Sequence, residues 1–404
     1  MKSFTFDPGT LILGSALRRA VGHLLAEREL RFEPRCSAKL NDLIFGEIIQ
    51  APARPFAELK YNFLERLYAC DGAVRLKNER LQPGPCVGVV GNRYAPPYLI
   101  GGLTNPITGQ VNGEIQGGAI VDGLFGVNAI GFVNREADPG ERVRIQVHGV
   151  IVNRTGRPVN LSSFRELIPD APPSSTPGPR VIMVAGYATN SGKTMCARAL
   201  VAELRSRGFE VTVEKKTGTA CCRDWLRCYA DPGRTALENE GDEIVFTPDD
   251  FPARDFVDGL GVASDVSVPI GRFIPASIKY SQSFLAKTRP DFHVLELADN
   301  ISHPANEGLL RSQYFRKRVT TLIYSTIPTF EAVTHFQTYL RSLGYGRTPT
   351  LLSGPLANEV QYAMARDEIE ARLGLPICRS AVNETGLWIP EGKELVNTVL
   401  EGAP

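Results

Sequence analysis

Along the second half of this 404-residue chain, short apolar runs alternate with stretches whose apolar residues recur at helical spacing. Val181 to Ala185 reads as a buried strand, and Met195 to Arg207, ended by Gly208, reads as a helix. Phe209 to Glu214, Asp291 to Leu297, Thr320 to Ser325 and Pro349 to Ser353 read as further strands. Glu331 to Leu343 and Asn358 to Leu373 supply helices between or after them. Such alternation predicts an α/β domain: a mainly parallel sheet with helices on both faces.

The first half has a different texture. Leu13, Leu17, Val21, Leu24 and Leu25 predict a helix over Leu11 to Leu30, although Gly14 and Gly22 interrupt it. Leu59, Phe63, Leu64 and Leu67 predict another over Pro55 to Ala69, while Asn41 to Ile49 is too short to classify. After Asp71-Gly72, short apolar runs at Cys86–Val90, Gly118–Val121, Ala129–Val133 and Val143–Val152 are cut by Gly, Pro and Asn. Residues 71–167 therefore read as a β-rich module behind a helical segment 1–70, together a separate α+β region. The glycines at Gly91 and Gly101 to Gly109 serve turns and bulges before they suggest a ligand site. Ile168 to Pro179, rich in proline and small polar residues, is the linker to a domain over 180–404.

Composition narrows the function classes. With 45 Lys and Arg against 44 Asp and Glu, no overall field favours nucleic acid or an anionic membrane. No apolar run is long enough to span a bilayer and the N-terminus lacks a secretory pattern, so a cytoplasmic protein is expected. Eight scattered cysteines fit reduced thiols.

The chemistry centres on Gly186 to Thr194, where a glycine-bounded turn links a strand to a helix. That order is the signature of a phosphate-binding P-loop: glycines let backbone N–H groups approach phosphates, and the helix N-terminus adds partial positive charge. Gly186, Thr189, Asn190, Ser191, Gly192, Lys193, Thr194 and Met195 form the expected cradle. Lys193 is to reach the terminal phosphates of a nucleotide, and Thr194 is to offer its hydroxyl to Mg²⁺. Five residues, Tyr187 to Ser191, separate the glycines instead of four, with Tyr187 standing where the usual first glycine would be. A longer loop of this kind resembles the dethiobiotin synthetase type.

Glu296, near the C-terminal end of a predicted strand, is placed to organise the metal beside Thr194, and Asp299 to assist. Lys215, Lys216 and Thr217 follow another strand, bringing cations that can stabilise a transferring phosphoryl group or hold a substrate carboxylate. Adjacent lysines point differently, so one of the two can be a plain surface charge. His303 could act as acid or base, or simply shape its loop before Pro304. Cys221, Cys222 and Cys228 crowd together around Arg223 and Arg227, without a C-x-x-C pair or a nearby His.

Gly186 to Thr194, the Lys216-Thr217-Gly218 turn and Leu295 to Pro304 together resemble the P-loop domain of the DUF1611 family, relatives of dethiobiotin synthetase. In that resemblance Glu296 matches the family's acidic residue and Ser302-His303-Pro304 its SHP segment. Asp255-Phe256-Val257-Asp258-Gly259 resembles its DFVAG segment and makes Asp255 a second metal candidate. Leu297 to Asn300 replace a glycine-rich turn, Thr219 replaces a glutamine, and the first 165 residues do not match the family.

The resemblance implies an ATP-using site. The leading expectation is an ATP-dependent ligase that activates a small-molecule carboxylate, with Lys193, Lys216, Glu296 and His303 carrying the chemistry and Thr194, Glu296 and Asp255 the metal. An N-acyltransferase acting on an amino acid, or a nucleotide-dependent switch or metallochaperone, are the alternatives. The expected partner is a small carboxylate or amino acid, not nucleic acid or membrane, and self-association stays open. Limited proteolysis should cut between Ile168 and Pro179 and release a C-terminal fragment that keeps nucleotide binding. Resistance there with cleavage elsewhere would mean that this stretch is packed against a domain.

Overall fold

The computed structural model describes residues 2–4, 30–50, 63–70, 73–80, 83–90, 115–124, 129–131, 144–165, 178–187, 191–218, 243–246, 253–262, 264–326, 330–353, 359–378, 380–382 and 388–401. In the first half, strands β1 (Lys2–Phe4), β2 (Leu30–Glu33), β3 (Leu43–Gln50), β6 (Gly84–Val89), β7 (Ile120–Leu124), β8 (Ala129–Gly131) and β9 (Arg144–Val152) form one antiparallel sheet. Its path runs β1-β2-β9-β3-β6, with β7 attached to β9 and β8 to β7. Leu43, Ile44, Ile48, Val87, Ile145, Val147 and Ile151 are buried within it. Gly149 permits the close pairing of β9 with β2, since a Cβ there would lie 2.8 Å from the Glu33 carbonyl oxygen.

Two expectations fail here. The helix predicted over Pro55 to Ala69 is replaced across Phe63–Cys70 by a strand, β4, paired antiparallel with β5 (Ala73–Arg80) from Phe63↔Arg80 to Cys70↔Ala73. Asp71 and Gly72, the two residues between them, are the strongest short-range hairpin signal, and that local turn chemistry overrides a weak helical spacing. The boundary at residue 70 also fails, because β2 and β3 belong to the same sheet as β6 to β9, and β4–β5 straddles it. Residues 11–29 of the predicted helix over Leu11 to Leu30, the glycine-rich stretch 91–114 and most of the linker lie outside the described residues, and Leu30 itself opens β2.

The second half builds a six-stranded sheet in the order β13-β11-β14-β10-β15-β16 with every pairing parallel. Its strands are β10 (Arg180–Gly186), β11 (Val211–Lys215), β13 (Ala253–Asp255), β14 (Phe292–Glu296), β15 (Val319–Ser325) and β16 (Thr350–Ser353). On one face pack α1 (Lys193–Ser206) and α8 (Gly392–Glu401), with Cys196, Leu200, Val201, Leu395 and Val399 meeting Ile182, Val184, Val213 and Val294. On the other lie α2 (Phe256–Gly259), α3 (Ile270–Thr288), α4 (Pro304–Arg311), α5 (Gln313–Arg318) and α6 (Phe330–Ser342), meeting Met183, Ala185, Leu295 and Leu322. Helix α7 (Glu359–Leu373) follows β16 and adds Ile369 to that second core. This is the predicted α/β architecture, with helices on both faces of a parallel sheet and an antiparallel sheet region before it. One strand crosses between the halves: β12 (Glu243–Phe246) pairs antiparallel with β5, from Glu243↔Lys77 to Phe246↔Val74. Among the described residues, no helix is long and apolar enough to cross a membrane.

Between the sheet and α3 lies a fully buried polar cluster. Lys216 donates to the Glu214 carboxylate and, at 3.1 Å, to the Ser277 carbonyl oxygen of α3, with its ammonium facing the rings of Phe256, Tyr280 and Phe315. The other Glu214 oxygen accepts from the Ser281 hydroxyl at 2.8 Å and lies 3.3 Å from His293 Nε2, while His293 Nδ1 meets the Thr212 hydroxyl at 2.8 Å. Burial pushes the Glu214 pKa up, but the Lys216 charge and the His293 hydrogen bond outweigh it and hold the carboxyl below its ordinary 4.5. Burial likewise pulls Lys216 below the usual lysine value against the attraction of Glu214, and pulls His293 below 6.5.

These directions fix an acid response. A histidine held below its ordinary pKa binds its proton more weakly in the folded chain than in the unfolded one. The stability present above pH 6.5 is therefore lost as pH falls from 6.5 towards the folded value. Glu214, depressed from 4.5, adds a second loss below pH 4.5. Urea midpoints measured from pH 7.5 to 4 should fall in these two stages, and His293→Asn should remove the first. A wild-type midpoint that stays flat between pH 7 and 5 would contradict the assignment.

Candidate nucleotide site

The phosphate loop is held by strand ends on both sides. Strand β10 ends at Gly186, where a Cβ would meet Ser191 Oγ at 2.3 Å and the Lys193 side chain at 2.9 Å, so the loop folds back onto its own strand. Gly192 caps α1 with φ of 91°, a left-handed conformation that glycine takes at no steric cost. From β15, the Ser325 hydroxyl donates to the Ser191 carbonyl oxygen, and the Ser325 carbonyl accepts from Tyr187 N–H at 3.2 Å. From the β14 side, Ile301 N–H donates to the Gly186 carbonyl at 2.9 Å. Lys193 is buried, with Nζ 3.4 Å from Ser191 Oγ, and Thr194 and Met195 follow, half-buried, in the first turn of a 14-residue helix. Ala188, Thr189 and Asn190 lie outside the described residues.

Thr194 donates its hydroxyl to Glu296 Oε1 at 2.7 Å, joining the start of α1 to the end of β14. Sheet register then sets what stands beside this pair. Val184, Glu296, Lys215 and Asp255 are successive partners across β10, β14, β11 and β13, so their side chains share the α1 face. Lys215 lies between the two carboxylates and pairs with Asp255 Oδ2 at 3.9 Å. Asp255 is thus two strands, about 10 Å, from Glu296. It meets Lys215 before it can share a metal with Thr194, which corrects the expectation of a common site.

A hydroxyl beside a carboxylate suits Mg²⁺, which keeps several waters and binds through one or two carboxylates plus substrate phosphates. Among the described residues, no group of three or more His, Cys, Asp or Glu is placed to cage a metal by itself. Thr194 and Glu296 fit the first kind of site.

Alternation along β11 separates the two lysines. Lys215 faces α1, whereas Lys216 turns to the opposite face, is fully buried, and is held by Glu214 and α3. The expectation that Lys216 meets substrate is therefore corrected, and Lys215 is the lysine on the phosphate-loop face. Asp299 adopts φ of 58° in the turn after β14, a left-handed conformation more often taken by glycine.

His303, 24% exposed at its side chain, caps α4 and places Nδ1 3.8 Å from Asp265 Oδ2. Asp265 is anchored by Gly218 N–H at 2.9 Å. Asn306 accepts from Thr217 and donates to the carbonyls of Ala298 and Asn300, tying this turn to the end of β11. The sequence gives no motif for Asp265 or Asn306, since each acts through chain segments far away in sequence. Cys221, Cys222 and Cys228 lie outside the described residues. Burial pushes the Cys196 thiol up to about 12, which leaves it an inert core group of α1.

A parallel sheet whose central strand leads through a glycine-bounded loop into a helix, with Lys and Thr opening that helix and an acidic residue at the next strand end, defines a P-loop NTPase-type fold. No family model and no curated protein sequence matches the chain. Solved structures similar to it include a DUF1611 family protein from Anabaena variabilis ATCC 29413, at TM-score 0.33 and 14% identity over 55% of this chain. The chain spans 58% of that protein's length. A ParA family ATPase from Chlorobium tepidum TLS aligns at 0.31 and 14% identity, over 55% of this chain and 90% of that one. A Borrelia burgdorferi B31 protein described as a plasmid partition protein, bound to AMPPNP, aligns at 0.36 and 11%, over 56% and 99%. The fold class stands on this chain's own strand order and loop.

Gly186→Ala should disturb the loop, because the added methyl must displace Ser191 and Lys193 together. Overpacking of this kind costs about 1–3 kcal/mol. A lowered thermal midpoint with nucleotide affinity weakened at least tenfold is expected; unchanged affinity by calorimetry would show that the loop tolerates a side chain there.

Proposed function

We propose that the chain binds ATP with Mg²⁺ and uses it to activate a small carboxylate for ligation. The observation that carries this reading is the 2.7 Å contact of the Thr194 hydroxyl with Glu296, at the mouth of a loop whose Lys193 opens the helix. Backbone N–H groups at the start of α1 and the Lys193 ammonium bind the phosphates. Thr194 and Glu296 would hold the metal, which would supply charge neutralisation on the phosphoryl oxygens when bound. Lys215, on the same face and steadied by Asp255, presents a cation to the substrate carboxylate or to the transferring phosphoryl group. The carboxylate takes the γ-phosphoryl group, ADP leaves, and an amine displaces phosphate from the acyl phosphate. The resemblance to dethiobiotin synthetase-type loops supports a ligase over a plain hydrolase.

The test is ADP release from MgATP with panels of carboxylates and amines, added separately and together. Release that needs both supports the ligase. Release with ATP alone would favour a nucleotide switch, and turnover of an acyl-CoA without ADP would favour an acyltransferase. Within the site, Glu296→Gln should cut metal-dependent turnover about 100-fold or more while leaving metal-free nucleotide binding within about threefold, since the amide keeps the shape and loses the charge. Lys193→Ala should instead remove most nucleotide binding. Unchanged turnover in Glu296→Gln would reduce this residue to a structural carboxylate.

A further inference from the structure

Two segments that meet only in the folded chain bring His303 and Asp265 together at the nucleotide edge of the sheet. Each has its own tie to that edge. His303 lies two residues beyond Ile301, whose N–H bonds the carbonyl of Gly186 where the phosphate loop begins. Asp265 Oδ2 accepts from Gly218 N–H at 2.9 Å, and Asp265 N–H returns a bond to the Gly218 carbonyl at 2.9 Å, just past Lys215 and Lys216. Asn306, three residues after His303, bridges to Thr217 at 2.7 Å, so the helix that His303 caps is fastened to the same turn. The imidazole is therefore positioned by the segments that follow both β11 and β14 and is not a loop side chain at large.

Its two nitrogens stand in different surroundings. Nδ1 is buried and lies 3.8 Å from the 1%-exposed Asp265 carboxylate, while the side chain as a whole remains 24% exposed. A carboxylate facing Nδ1 selects the tautomer with the proton on Nδ1 and leaves Nε2 with its lone pair. Such separations are commonly long before substrate binds and shorten in the reacting complex. We infer that Asp265 is the positioning residue that fixes His303 with a basic Nε2 at the nucleotide site, and that His303 is the base for the incoming nucleophile.

The inference rests on the ligase reading for its chemistry. As the amine nitrogen forms its bond to the acyl-phosphate carbonyl carbon, its proton passes to His303 Nε2. The carbon–oxygen bond to phosphate then breaks, with its electron pair leaving on the phosphate. Asp265 balances the imidazolium so formed. The carboxylate's phosphorylation needs no base, so His303 belongs to the second half-reaction.

The experiment uses the full chain and MgATP alone as ligand. With five histidines, His303 can be assigned in ¹⁵N correlation spectra by its loss in His303→Gln. The wild type should show His303 with the proton on Nδ1, Asp265→Asn should shift it towards the Nε2–H form, and MgATP should slow diethyl pyrocarbonate acylation of His303 at least fivefold. An Nε2–H imidazole in the wild type overturns the inference, as does a tautomer indifferent to Asp265→Asn or acylation indifferent to bound MgATP. Should Asp265→Asn fail to fold, the wild-type tautomer and the protection decide. Calorimetry on the same samples separates the two levels: absence of MgATP binding defeats the nucleotide-site reading itself, whereas binding without protection defeats only the role given to His303.

Discussion

The C-terminal edge of the parallel sheet depends on one close approach, the folding of the loop after β10 back over the end of its own strand. Because Gly186 has no side chain, Ser191 and Lys193 occupy the space a Cβ would fill. The neighbouring strands can then reach the loop from both flanks, Ser325 from β15 and Ile301 from the β14 connection. Everything chemical is referred to that frame. Thr194 meets Glu296 because the first turn of α1 is set down at a fixed height above β14.

The second constraint is the two-residue alternation of β11. A run of Glu214, Lys215 and Lys216 in a buried strand has to send its charges to opposite faces. One face receives Lys215, buried between Glu296 and Asp255 at the C-terminal edge of the sheet. The other receives Glu214 and Lys216, which are stable in the core only because they pair with each other, with His293 and with α3. The same short sequence thus supplies both a candidate reactive group and a structural lock.

These physical facts explain what was legible in the sequence. The strand, loop and helix around Gly186 and Lys193 were readable because their signals are local: an apolar run, two glycines and a helical repeat ended by Gly208. The parallel strands carrying Glu296 and Lys215 were readable for the same reason. Helix α3 was not, because Pro275 lies inside it and interrupts the pattern, though the helix continues with its buried face on Phe273, Tyr280 and Phe284. The β4–β5 hairpin was hidden by leucines spaced as in a helix, although Asp71-Gly72 carried the correct signal. Which lysine faces the loop, and which carboxylate faces His303, are matters of register and of contacts between distant segments. No spacing rule contains them.

The pairing of β12 with β5 gives the two halves of the chain a shared edge. Lys215 and Asp255 are neighbours in the sheet, yet the chain between them leaves the P-loop domain and lays Glu243–Phe246 against the β4–β5 hairpin. Divided from the first half, a fragment beginning at Arg180 would carry that strand with a row of backbone donors and acceptors uncovered. An uncovered strand edge is a template for pairing with another chain. In the intact chain β5 occupies one of those edges, so the β4–β5 hairpin covers backbone groups that the fragment would expose.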